Sequence, residues 1–287
     1  MNTLKKMILV GLVAVLASAL PATAVDIPIT GAYAVSGALS AVSTDVGMWV
    51  KYVGPAFTVQ PTVAVAAADS DMAFTVGGSP DTTVTGCGGT AGTLDTAQAA
   101  CDTLIELCNT INSSANWLCV LGAYPGSSAT NNTLITLGAT NAALPGGVPI
   151  LKDTVVALDV GVLLYPGTDM SFFLSGPNKP NPNPFGNYVT FVQSIRENIT
   201  SSGTIGNFEV VGLKRTYTGT GSGKRVSEVA RTIWSEVGAA TTVEKTQQFF
   251  NFPLMTQPGE IAYVHISAGT NLTVPKLNAV GVIGQVT

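Results

Sequence analysis

The sequence predicts a mainly β protein in two domains: an α+β, disulfide-bonded N-terminal domain with one helix on a sheet, and a C-terminal domain of β-sandwich or jelly-roll type. Three observations carry this. Short runs rich in Val, Thr, Ala, Phe and Tyr recur along the chain between Gly, Pro, Asn and Asp, the pattern of strands and turns. One stretch alone repeats its apolar residues at helical spacing. All four cysteines lie in an acidic first half that ends near Ile150.

Taken in order, the chain opens on what reads as a secretory leader, Met1 to Ala24. Lys5 and Lys6 supply the positive start, Met7 to Leu20 is apolar or small throughout, and Thr23-Ala24 completes a small-x-small cleavage pattern. The apolar run is shorter than the about 20 residues a membrane span needs. The mature chain is expected to start near Val25, outside the cytoplasm. Asp26 to Val35 follows directly, strand-like in composition, with Pro28 suiting an edge. It reads either as the first strand of its own domain or as a strand donated to a neighbouring subunit.

Strand-like runs then occupy Met48–Val53, Thr62–Ala67 and Met72–Val76, and later Thr154–Tyr165, Met170–Leu174, Phe208–Leu213, Val226–Val237 and Ile261–Ala268. Several alternate with period two, as half-buried strands do. Between them, Asp95 with Gln98 reads as a capping box. From there Ala97, Ala100, Cys101, Leu104, Ile105, Cys108 and Ile111 form one apolar stripe. Asn112 to Ser114 stops the helix and Trp117–Leu121 resumes as strand. Ser175 to Pro184 carries four prolines and reads as an extended strap. It is the competing domain boundary (176–185) to the one placed between 25–150 and 151–287.

Charge supports the division. From Val25 to Ile150 the one basic residue, Lys51, faces eight acidic ones; beyond, ten basic residues face nine acidic. A net acidic mature chain excludes nucleic acid and anionic membranes as partners. Charged residues make up 10% of the chain, against roughly 25% in ordinary soluble domains. A surface so poor in charge suits a subunit covered by copies of itself.

An exported chain with four cysteines reads as two disulfides. If Cys101 and Cys108 lie on one helix, their Cα atoms stand about 10.5 Å apart, beyond the about 7 Å a disulfide spans. The favoured pairs are Cys87–Cys101 and Cys108–Cys119. A zinc site is the rival, but the spacing has no Cys-x-x-Cys knuckle.

No catalytic constellation emerges. His265 is the single histidine; it sits mid-strand and reads as a surface residue without a role, and no Gly-x-Ser-x-Gly elbow accompanies it. Gly219 to Lys224 imitates a phosphate loop, but Thr218 and Arg225 stand where the motif needs Gly and Ser or Thr; a hairpin loop fits better. Asp69 with Asp71, and Asp153 with Asp159, are the nearest carboxylate pairs for a glycosidase, the former reading better as a turn or a weak calcium site. Trp49, Trp117 and Trp234 read as core rather than a sugar-binding face. No pattern asks for a cofactor, and the mature chain has no membrane span. The expected function is a secreted structural subunit that packs with copies of itself in a filament, sheath or surface layer. A module or adhesin binding a glycan or cell surface is the alternative, and a secreted hydrolase the third.

Overall fold

The computed structural model describes residues 29–39, 44–67, 70–131, 133–153, 159–164, 174–176, 179–181, 186–201, 207–237, 242–249, 253–267 and 272–286. The leader lies outside these residues, as do Asp69 and parts of the Met170–Leu174 run and of the proline strap. In chain order the strands are β1 Ile29–Leu39, β2 Thr44–Tyr52, β3 Thr62–Val65, β4 Met72–Val76, β5 Ser79–Pro80 and β6 Thr93–Leu94. The helix α1, Leu104–Ser113, leads into β7 Trp117–Leu121, β8 Leu137–Asn141 and β9 Val148–Asp153. Strands then follow one another: β10 Asp159–Leu164, β11 Leu174–Gly176, β12 Lys179–Pro180, β13 Tyr188–Ser201 and β14 Asn207–Thr218. The last are β15 Arg225–Val237, β16 Thr242–Gln248, β17 Leu254–Met255, β18 Glu260–Ser267 and β19 Leu272–Val286. The protein is mainly β, with one α-helix among the described residues.

That helix begins later than the sequence suggests. Asp95 and Gln98 form a polar turn instead: the Asp95 carboxylate accepts from the Ala97 amide and from Gln98 Nε2, both at 2.9 Å. The helix is capped by Thr103, whose side chain accepts from the Glu106 amide while Glu106 accepts from the Thr103 amide. This Thr-x-x-Glu box satisfies two amides reciprocally and places an acid in the first turn, where the helix dipole favours it. Cys101 therefore precedes the helix, and the helical-distance argument against a Cys101–Cys108 bridge does not apply. The disulfides are Cys87–Cys101 and Cys108–Cys119. The first closes the loop leading to the helix, and the second ties α1 to β7.

Two sheets dominate the chain beyond 153. One has the order β1-β19-β13-β16, with β17 added on β13; the other has the order β10-β18-β14-β15. All their pairings are antiparallel. They share an apolar layer: Val192, Ile195, Leu277 and Ile283 from the first sheet meet Leu164, Val210, Val264 and Ile266 from the second. β1 pairs along β19 of its own chain as an edge strand.

The opposite face of the four-stranded sheet is buried too. Val211, Leu213, Tyr217, Val226, Ile261 and Tyr263 belong to the cluster that holds α1, β2, β4 and β7. This places β18 in the middle of the molecule, so Ile261 through Ile266 are all buried, and its alternation divides two cores rather than core from water. In the N-terminal part the sheets have the orders β7-β2-β9 and β5-β4-β3-β8, with β6 on β4. β9 pairs with β2 and runs across position 150. Trp117 is fully buried at the centre, edge-on to Tyr52 and Phe74, and its indole donates to Asp81 Oδ2 at 2.8 Å.

Polar contacts fasten the layers. Arg215 has no exposed surface; it pairs with Glu228 at 2.7 Å and donates to the carbonyls of Gly122 and Tyr124. The Tyr217 hydroxyl accepts from the Leu121 amide, and Lys224 Nζ donates to the Trp117 carbonyl. Asn112 and Asn109, one turn apart on α1, face different sheets. Asn112 accepts from the Cys119 amide at 2.8 Å and donates to its carbonyl at 2.9 Å. Asn109 does the same for Val226, at 2.8 and 3.0 Å. Each side-chain amide thus imitates one peptide of a neighbouring strand on the edge of β7 or β15. No helix among the described residues is long and apolar enough to cross a membrane.

Candidate ligand cleft

The face of the four-stranded sheet that meets the N-terminal layer extends beyond it. Antiparallel pairing sets its side chains in rows across β15, β14 and β18. Val226 and Tyr217 lead, then Glu228 with Arg215, then Ala230 with Leu213 and Ile261. Thr232 with Val211 and Tyr263 follows, and Ser235 with Glu209 and His265 comes last. The first rows lie under the helix and β7. The last rows stand clear, and between them and Thr103, Ile105, Pro125 and Ser127 opens a cleft of about 520 Å³. That volume is within the range of small-ligand sites.

At its open end His265 Nε2 stands 3.1 Å from Glu209 Oε2. The imidazole lies flat on the Tyr263 ring, with centroids 4.6 Å apart and planes inclined by 13°. Gly161 lies opposite His265 on β10; a Cβ there would stand 2.4 Å from His265 Cβ and 2.6 Å from the Tyr263 ring. The stack therefore needs glycine at this position. Ser235 Oγ donates to Glu209 Oε1 at 3.4 Å. The Glu209 side chain keeps a fifth of its surface exposed. At the closed end the Glu228 carboxylate is fully engaged, with one oxygen on Arg215 and the other accepting from the Gly126 amide at 3.0 Å.

The structure revises the sequence reading of His265. It is 9% exposed and lines a cleft. Its partner Glu209 was legible only as the polar member of the alternating run Phe208–Leu213. Glu209 and His265 meet because β14 and β18 pair in this register, which no local spacing reveals. The other candidate residues are dispersed. Asp71 accepts from the Thr96 amide beside Ser70, whose φ of 61° marks a tight turn. Asp153 ends β9 and Asp159 opens β10. Gly219 to Lys224 is the β14–β15 hairpin loop, and its lysine is 1% exposed and bound to a backbone carbonyl, out of reach of a phosphate. Trp117 is core, while Trp49 and Trp234 pack partly buried on the two clusters. The four cysteines are all spent in disulfides. Among the described residues no group of three or more His, Cys, Asp or Glu could hold a metal. No family model, curated protein or solved structure matches this chain.

Proposed function

We propose that the protein is a secreted structural subunit that packs with copies of itself into an extracellular filament, sheath or surface layer. The observation that carries the reading is the outer edge of β15. This strand is 13 residues long and ends its sheet. Asn109 occupies the outward-facing peptide groups of Val226. Alternation along the register with β14 then turns the N–H and C=O of Glu228 and Ala230 outward, away from β14. Val229 and Val237 expose 67% and 75% of their surface. Glu228 and Arg231, which would otherwise guard the edge, are spent on Arg215 and Glu260. Such an edge is a template for another strand, and an antiparallel pairing with the same strand of a second copy is self-complementary.

Two disulfides fit an oxidising compartment, and the leader supplies the route. The charge-poor surface leaves little to keep subunits apart. In an assembly, β1 is also free to exchange, since a neighbour's β1 would find on β19 the register that the chain's own β1 uses.

Size-exclusion chromatography and negative-stain microscopy of the mature protein test the reading. The wild type is expected to form polymers or defined oligomers. Ala230→Pro removes one outward donor and leaves the bonds to β14 intact, so it should yield smaller species with unchanged circular dichroism. A wild type that stays monomeric at high concentration overturns the proposal.

A further inference from the structure

We infer that the cleft binds an organic cation: an ammonium or guanidinium group on an aliphatic stem, of the kind lysine and arginine side chains carry. The inference is independent of assembly and rests on how charge is distributed in the cavity. Of the two carboxylates lining it, Glu228 is neutralised by Arg215 and has both oxygens occupied. Glu209 is not: among the described residues it receives the imidazole at 3.1 Å and a long contact from Ser235, and it keeps a fifth of its side-chain surface exposed. Among the described residues no lysine or arginine lines the cleft. One carboxylate whose basic contact among the described residues is a single imidazole thus lines a cavity of about 520 Å³.

The walls define the rest of the ligand. Val211, Leu213, Ile105 and Pro125 are aliphatic, and Tyr263 and His265 present ring edges and faces. An alkyl stem can lie along this surface while its charged head reaches the carboxylate, the division that long basic side chains prefer. Partial exclusion of water strengthens the ion pair, and charge-assisted hydrogen bonds are stronger than those a neutral hydroxyl offers. The site is prearranged: Ser235 and His265 hold Glu209, Tyr263 holds His265, and Gly161 leaves the stack its room. A neutral sugar would engage the same carboxylate through hydroxyls but would leave its charge unbalanced.

The single histidine gives the test an unambiguous reporter. With the full mature chain labelled at histidine, the ring resonance of His265 is followed by NMR during titration with Nα-acetyl-lysine N-methylamide. The isosteric norleucine derivative, which lacks the ammonium group, and N-acetylglucosamine are titrated in parallel. A saturable shift with the lysine derivative and none with norleucine is expected. Glu209→Gln should weaken binding by about tenfold or more with the circular dichroism spectrum unchanged. Ser127→Trp, an exposed position on the rim, should block the cleft while leaving Glu209 in place. Equal shifts with norleucine, a shift only with the sugar, or undiminished binding by the Gln variant each overturn the proposal.

Discussion

Asp81 shows how much one residue can organise. It is 6% exposed and accepts from the Trp117 indole, Asn116 Nδ2 and the Thr83 amide. Burial alone would raise its pKa, but these hydrogen bonds outweigh it and hold the carboxyl below its ordinary value. The unfolded chain therefore takes up the proton first as pH falls. The stability Asp81 contributes is present at neutral pH and is lost on acidification through its lowered folded value. Asp81→Ala leaves the Trp117 N–H buried without its acceptor and should cost about 3 kcal/mol. Chemical denaturation at pH 7 measures this, and the deficit relative to wild type should shrink as the acid limb is approached. None of this was legible in the sequence, where Asp81 was one of eight acids in an acidic half. Its distinction comes from Trp117, 36 residues away.

At the scale of elements, α1 closes two sheet edges. Asn109 and Asn112 stand on the part of the helix that a hydropathy reading leaves to solvent or to the helix stop, and both are peptide mimics. Asn112→Ala should strip the Cys119 amide and carbonyl of their partners in a buried setting. A loss of about 2 kcal/mol is expected by denaturant titration. Asn109→Ala, half-buried, should cost less and should extend the open edge of β15 by one residue pair, raising the tendency to associate in light scattering. Several elements could be read directly: Met72–Val76 and Trp117–Leu121 are strands at the residues the sequence reading marks. The helix start could not. Asp95-x-x-Gln98 and Thr103-x-x-Glu106 are both box-like, and the choice is made by tertiary contacts around the loop. Cys101 is bound to Cys87, and the Leu104 and Ile105 amides donate to the carbonyls of Ser128 and Gly126. The period of Ile261–Ala268 was equally clear, but only the second core shows why both of its faces are apolar.

At the scale of the molecule, cations and phenols buried between layers govern alkaline behaviour. Burial lowers both Lys152 and Lys224 from 10.5 to about 8. Between these values the unfolded chain binds more protons than the folded one, so stability should rise with pH from about 8 toward 10. Tyr217 acts in the opposite sense. Burial raises its pKa to about 12 against the pull of Arg215, so above pH 10 the unfolded chain ionises first and stability should fall. Thermal melts across this range should show a maximum near pH 10, with disulfides kept oxidised. Lys224→Met should flatten the rising limb and raise stability at pH 7, because a desolvated charge is removed.

The pairing of β1 with β19 also sets the order in which the chain can fold. Ile29 lies opposite Val286, so the first and last strands described are neighbours, and β13 leans on the other side of the same terminal strand. Among the described residues β1 pairs with β19 alone, and β13, which can already pair with β16 and β17, gains β19 only when that strand has been synthesised. Folding of this sheet is therefore dominated by contacts of great sequence separation and correspondingly slow. The four-stranded sheet can pack one face on α1 and β7 earlier, but the core on its other face is completed only when β19 brings Leu277, Ala279 and Ile283. A chain built this way spends its early life with strand edges open, and the arrival of β19 is what closes them.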